Sequence, residues 1–410
     1  MAGGCASFPF YFPVRILFIG YWSLHEPLTI STTFPHLRIL QERPDVEHIS
    51  FVTIERGAET SADLTLRLPF TNTKISFRPL LSRSQKVLLL NKTDDFLRFP
   101  RELAELAKAE GSTVLLARGA PAGALAYLVS RRTGLPFYVE SFEPHAEYMR
   151  NGGVWKPYDP RYLVQTFMEG RQKKYARGLM PVAEAHRRLL IGEGVPADHV
   201  ITVPCSVDIA AFGFDASRRV QQRQRLGYTD NAVVGIYVGK FGGIYYEDEG
   251  FALFREAADY FGVAFRLIVL TAHPAVDVMA RLAAAGLDPA HCLVTKVPHA
   301  EVPNYLAAAD FSFLLSRPTP GLSPIKVGEY WASGLPIFLA QGVGDDSDIV
   351  EREGGGAVYD LARPGSVGEG LVRIAAQLAQ PTHAADCLAL ARRHRSPERA
   401  REAYKVFFGA

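Results

Sequence analysis

The sequence predicts an α/β protein of two domains, each a doubly wound parallel sheet, with the two sheets facing each other across a cleft. Three observations lead there. The chain has 410 residues, more than one hydrophobic core usually supports, so two domains of roughly 150–200 residues are expected. Short apolar runs alternate with stretches of helical periodicity, an order that produces parallel strands with helices over both faces. Near residue 232 the same pattern starts again.

Val14–Gly20 is an apolar run closing on glycine, followed by a polar loop and then Phe34–Glu42, where Phe34, Leu37 and Leu40 recur at helical spacing. His48–Ile54, Lys74–Phe77, Thr113–Ala117 and Pro136–Glu140 read as further strands, with Leu97–Ala109 and Ala122–Thr133 as helices between them. Ala232–Gly239 repeats the strand-to-glycine form, with the helix Phe251–Phe261 behind it. Arg266–Thr271, Cys292–Thr295, Phe311–Leu315, Pro336–Leu339 and Gly356–Tyr359 supply the later strands. Both halves therefore read as Rossmann-like units. Val203–Phe212 combines turn residues with a proline and suits an interdomain connection, which places the boundary near residue 208. The first domain is then 1–207 and the second 208–392. Arg399–Phe408 sets Ala400, Ala403, Tyr404 and Phe407 on one helical face. That face is expected to pack back onto the first domain, which assigns 393–410 to it.

Composition narrows the function classes. Lys+Arg 45 against Asp+Glu 43 leaves a net charge of +2, so no global field gathers nucleic acid, and any phosphate site must be local. Cys5, Cys205, Cys292 and Cys387 lack CxxC spacing, which argues against a zinc site or a disulfide framework and fits a cytoplasmic location. No run approaches the ~20 apolar residues that span a bilayer. The aromatic leader Phe8, Phe10, Tyr11 and Phe12 leaves open a peripheral contact at the inner membrane face, against the alternative of a tucked N-terminal arm.

In doubly wound sheets, ligands sit at the carboxyl ends of strands near a switch point, so the loops after the strands hold the candidates. Gly239-Lys240-Phe241-Gly242-Gly243 allows close backbone approach, and Lys240 offers a charge to a phosphate; the alternative is a tight turn with a solvated lysine. Arg317–Glu329 runs through Gly321 and Leu322 into a helix, Ile325–Ser333, for which Ser323 reads as N-cap and Pro324 as first residue. Free amides at that helix start would attract a diphosphate, with Lys326 neutralising it and Glu329, one turn on, accepting hydrogen bonds from a ribose diol. The alternative for these two is an ordinary i,i+3 surface ion pair. In Glu140–His145, Glu143 or Glu140 could bind or polarise a ligand hydroxyl. In the loop after the first strand, Gly20, Tyr21, Trp22 and Ser23 offer a flat aromatic face and a hydroxyl to a ligand. Arg118 is similarly placed, with a solvated arginine as its default reading. Asp345, Asp346 and Asp348 read as a solvated turn capping the next helix.

Ser323-Pro-Ile-Lys-Val-Gly-Glu-Tyr-Trp-Ala-Ser-Gly-Leu-Pro336, with Val203–Phe212 and Gly239-Lys240, resembles the donor half of glycosyltransferase family 4, a retaining GT-B family, in a Ser-Pro-x-Lys variant. The resemblance covers about 180–360 well and the first domain in general architecture. It implies a GT-B fold and transfer of a sugar, with retention, from an NDP-sugar to a hydroxyl of a sugar or lipid-linked glycan acceptor. No metal or other cofactor is then expected. It implies a ribose-binding role for Glu329, diphosphate contacts from Lys240 and Lys326, and a hydrogen bond from His145 to the donor sugar, although a structural histidine stays open there. The family's paired-glutamate pattern would place its first glutamate at 321, which is Gly321, so contacts to the sugar would come from backbone amides around Gly321–Ser323. The contextual expectation is cell-surface glycan or glycoconjugate synthesis. The alternatives are a GT-B sugar-nucleotide epimerase or hydrolase and a non-catalytic nucleotide-sugar-binding partner protein.

Overall fold

A computed structural model describes residues 13–26, 28–56, 74–82 and 88–409. The aromatic leader, Cys5 and Pro27 lie outside these residues. The first sheet is built from β1 (Val14–Gly20), β2 (Val46–Val52), β4 (Ile75–Phe77), β6 (Val114–Arg118), β7 (Phe137–Phe142) and β8 (Gly178–Pro181), in the order β4-β2-β1-β6-β7-β8. β3 (Ile54–Glu55) and β5 (Leu80–Leu81) form a separate two-stranded ribbon. The second sheet contains β9 (Val233–Val238), β10 (Phe265–Leu270), β11 (Cys292–Thr295), β12 (Phe311–Leu314), β13 (Ile337–Ala340) and β14 (Gly356–Tyr359), in the order β11-β10-β9-β12-β13-β14. Every pair in both sheets is parallel.

The strand order reverses between β1 and β6 in one sheet and between β9 and β12 in the other. Loops leaving these strands diverge there and leave a crevice, the general ligand position of the architecture. Helices on both faces explain why β1 reads as a continuous apolar run: Ile16, Leu17, Phe18 and Ile19 are all buried. The phenylalanines of β12 do the same in the second core, where the ring of Phe313 meets Phe254 edge-on at 4.9 Å.

Several elements differ from the sequence expectation, two of them in the first sheet. The strand expected over His48–Ile54 breaks at Thr53, whose hydroxyl donates to Glu55 Oε1 at 2.5 Å, and the chain then leaves the sheet as β3. β8 was not anticipated, because it begins on Gly178 and ends in Pro181; it lies at the sheet edge, where a missing N–H costs little.

The helix Glu398–Phe408 returns to the first domain as expected. Ala400, Ala403 and Tyr404 are buried in the core formed by Phe18, Leu37 and Phe51. Tyr138 meets the rings of Phe407 and Phe408 at 5.4 and 5.1 Å. The Tyr404 hydroxyl donates to Oε2 of the fully buried Glu140, which also holds Arg118 Nη1 at 2.6 Å and His36 Nδ1 at 2.9 Å. Burial pushes the Glu140 carboxyl up, but the charges of His36 and Arg118 and the hydrogen bonds from His36 and Tyr404 outweigh it, bringing it down to about 2. Tyr404→Phe removes one donor from this carboxylate and is expected to cost about 1–3 kcal/mol, read as earlier thermal unfolding.

Candidate functional site at the domain cleft

The start of the helix Ile325–Ala332 lies where the loops of both sheets converge. Pro324 is its N-cap, with extended backbone (φ −63°, ψ 126°), and the helix ends at Ala332 with Ser333 as C-cap. Ser323 therefore does not cap it and Pro324 is not its first turn, contrary to expectation. The Ser323 hydroxyl is engaged elsewhere: it accepts from the Cys205 amide at 3.2 Å and from Arg395 Nη1. With proline at the cap and the first intrahelical amide bond made by Val327 to Pro324 O, the amides of Ile325 and Lys326 open the helix toward the cleft.

On this helix Lys326 Nζ donates to Glu329 Oε2 at 2.7 Å, and His299 Nε2 lies 3.3 Å from Glu329 Oε1. Glu329 is 2% exposed, so the pair is not the solvated surface pair that its spacing also allowed. Burial pushes the Glu329 carboxyl up, but Lys326 and His299 outweigh it and hold it below its ordinary value. Glu329, His299, Asp208 and Phe212 line one side of a cavity of about 680 Å³, whose other side is Ile30, Phe34 and Arg38 of the first domain. His299 follows β11 and was missed in the sequence reading, although a histidine in the loop behind a strand met the same criterion as the residues chosen.

The loop after β9 is tied down by its own residues. Tyr237 donates its hydroxyl to Lys240 O, and Phe241 stacks on Phe251 at 4.9 Å. Gly242 and Gly243 have φ of 84° and 65°, a left-handed path that favours glycine, and they turn the chain so that the Lys240 side chain is left exposed. Gly239 lies between β9 and this turn. Tyr245 bridges to Ser316 beside the start of the loop that carries Gly321 and Leu322.

A second cavity, of about 210 Å³, gathers the remaining candidates: Trp22, Arg118 and Glu143 from the first domain face Tyr245, Leu322 and Ser323 from the second. Tyr21 lies edge-on to Trp22 at 5.0 Å. Ser23, in the turn that follows Gly20, is not free: its hydroxyl donates to Glu55 Oε2 at 2.5 Å, and the Leu24 amide donates to Glu55 Oε1 at 2.8 Å. Glu55, unremarked in the sequence, thus shapes the loop that presents Trp22. Arg118 is buried rather than solvated, donating to Thr32 Oγ1 at 3.1 Å as well as to Glu140. Glu140 is 0% exposed and occupied by three partners, so it is closed to a ligand in the cavity, whereas Glu143 is half-buried and faces it. His145 lies behind it, 3.4 Å from Glu143 Oε1 and beneath Trp155, and is not among the residues that line the cavity.

Gly321 has a steric reason. A Cβ there would meet the Tyr148 hydroxyl at 2.7 Å, so a side chain at 321 requires Tyr148 to move. Among the described residues that hydroxyl and His186 Nδ1, both buried, have no hydrogen-bond partner, and His186 stacks on Phe142 at 5.8 Å.

The acidic turn at 345–348 is also not a solvated cap. Asp345 accepts from the amides of Glu184 and Ala185 at 2.6 and 3.3 Å, so it caps a helix of the other domain, Glu184–Gly192. Asp346 is buried and pairs with Arg395. Asp348 lies in the first turn of the helix Asp346–Glu353.

Two parallel six-stranded sheets of this order, facing across a cleft, define the GT-B fold. Among solved structures, HepE of Anabaena in complex with UDP has a TM-score of 0.70 at 14% identity, over 95% of this chain and 98% of that one. The sucrose-phosphate synthase of Thermosynechococcus elongatus has a TM-score of 0.69 at 12% identity, over 94% and 97%. The lipopolysaccharide outer core galactosyltransferase WaaB, in its apo form, has a TM-score of 0.65 at 13% identity, over 96% and 99%. No family model and no curated protein matches the chain in sequence.

Acid tests the burial of two groups near the cleft. Burial brings the His186 imidazole down to about 4 from 6.5. Unfolded, it binds more protons between those values than when folded, so stability rises with pH across that window. Glu140 acts in the same direction between 4.5 and about 2. The thermal midpoint is expected to fall in two stages as pH drops, and His186→Gln should remove the upper stage only.

Proposed function

We propose that the chain is a nucleotide-sugar glycosyltransferase that transfers a sugar, with retention, from an NDP-sugar to a hydroxyl of a sugar or lipid-linked glycan acceptor. The observation that carries this reading is the Lys326–Glu329–His299 cluster at the start of a cleft-facing helix, beside a cavity of about 680 Å³. It has the parts a nucleoside diphosphate needs. The helix amides and Lys326 meet the diphosphate, and Glu329, once released by Lys326, accepts from the two ribose hydroxyls. His299 keeps Glu329 ionised meanwhile. Of the structures named above, one is a sucrose-phosphate synthase, one a galactosyltransferase and one holds UDP, which agrees with this reading.

As the sugar leaves, negative charge grows on the outer phosphate, where Lys240, Lys326 and the helix N-terminus stabilise it without a metal. Trp22 offers a face for the acceptor ring, and Glu143 accepts from its hydroxyl. The leaving phosphate takes the acceptor proton, as retention by same-face attack requires. Gly321 supplies no side chain, so its backbone and its neighbours Leu322 and Ser323 carry the contacts to the donor sugar. A role in cell-surface glycan synthesis, at the cytoplasmic side, and membership of family 4 complete the proposal.

A thermal-shift screen with UDP-, GDP-, ADP- and dTDP-sugars should show stabilisation by one nucleotide class. Lys326→Ala and Glu329→Gln should each weaken that nucleotide by about 10–100-fold, the size of a lost charge-assisted hydrogen bond. Unchanged affinity in both variants would place the nucleotide elsewhere. Product analysis with and without an added acceptor separates transfer from epimerisation, hydrolysis or binding alone.

A further inference from the structure

The helix Pro160–Tyr175 of the first domain is amphipathic in the inverted sense. Its buried residues are Met168, Glu169 and Gln172. Glu169 accepts from the Ala146 amide at 3.0 Å, and Gln172 donates to Ala120 O at 3.0 Å, so the inward face is fastened by polar groups. The opposite face carries Leu163, Val164 and Phe167, and the segment leading into the helix adds Val154 and Tyr158; these five side chains are 49–72% exposed. Spacings of one and four residues put the helical three on a single stripe. Exposed apolar residues scattered singly need no explanation, but a contiguous group on a helix whose inward face is fastened by Glu169 and Gln172 does.

The charges around the stripe are of one sign. Arg171 and Lys174 continue it along the helix, and Lys156 precedes it. Among the described residues none of these three is ion-paired; they lie over the rings of Phe167, Tyr175 and Tyr158 at 4.7, 5.5 and 5.9 Å. Arg161, at the helix start, is paired with Asp159 at 2.6 Å, and the other carboxylate of the helix, Glu169, is buried. A second copy meeting this face would bring cations against cations. An anionic bilayer would not: cations beside exposed apolar side chains match lipid headgroups over acyl chains.

We infer that this face docks the protein on an anionic membrane surface, with Leu163, Val164, Phe167, Tyr158 and Val154 entering the interface and Lys156, Arg171 and Lys174 meeting the headgroups. The chain then lies on the bilayer without spanning it; among the described residues no helix is long and apolar enough to cross one. The patch also adjoins the cleft. Trp155, within it, meets His145 at 5.6 Å, and His145 stands behind Glu143. A hydroxyl carried on a membrane lipid would thus be presented near Glu143. The docking surface itself does not depend on sugar transfer, because binding to vesicles is read without substrate.

The test is sedimentation of the full chain with vesicles of phosphatidylcholine alone and of phosphatidylcholine mixed with phosphatidylglycerol. Partition is expected onto the mixed vesicles only, with release by added salt. Lys156→Ala and Lys174→Ala should each weaken it about fivefold, the worth of one cation near such a surface. The double variant L163D/F167D should lower partition at least about tenfold, with an unchanged thermal midpoint because both side chains are exposed. Failure of the unaltered chain to bind mixed vesicles overturns the proposal, as does equal partition of the double variant. A dimer in solution that the double variant splits would assign the face to a second copy instead.

Discussion

Arg395 fastens the places where the chain passes between the two domains. Its carbonyl accepts from the Val207 amide at 2.9 Å on one crossing, and its side chain lies on the other, reaching Cys205 O, Ser323 Oγ and Asp346. Gly328 makes room for this, since a Cβ there would come within 3.3 Å of the Arg395 side chain and 3.0 Å of Val207. A charge this deeply buried is tolerated only because Asp346 and the oxygens around it replace water, and losing one partner would strand the other. The geometry of the cleft follows. Ser323, and with it the start of the helix Ile325–Ala332, is fixed relative to the interdomain crossings and not only to its own sheet.

The same economy governs the cleft without ligand. Glu329 can stay ionised at 2% exposure because Lys326 and His299 face it. In the proposed reaction a diphosphate would exchange one anion for another in front of Lys326, and a diol would replace the lysine as donor to Glu329. The site therefore needs no uncompensated buried charge in either state.

Much of this was legible in sequence. Strand after strand read correctly wherever both faces are covered, as in β1 and β9, because burial on both sides leaves an uninterrupted apolar run. β8 was lost because Gly178-Leu-Met-Pro181 begins and ends on turn residues and holds no β-branched one. The spacing of Lys326 and Glu329 put them on one helical turn, and the fold buried Glu329 while leaving Lys326 half-buried beside it. Partners that are distant in the chain were not legible: Ser23 with Glu55, Arg118 with Glu140, and Asp345 with the amides of Glu184 and Ala185. Each looked solvated or idle in isolation, since local pattern says nothing about which long-range neighbour arrives. The vacancy at Gly321 likewise acquired a reason only when Tyr148 appeared opposite it.

The returning helix Glu398–Phe408 bears on how the chain matures as it is made. His36 and Tyr404 are 368 residues apart, and Glu140 waits 264 residues for the same hydroxyl. Domains generally fold in the order of their synthesis, but here the one that emerges first stays open on one flank until the last helix has left the ribosome. During that interval Tyr138 lacks the rings of Phe407 and Phe408, and the core around Leu37 lacks Ala400, Ala403 and Tyr404. The nascent first half is then the phase most in need of a chaperone.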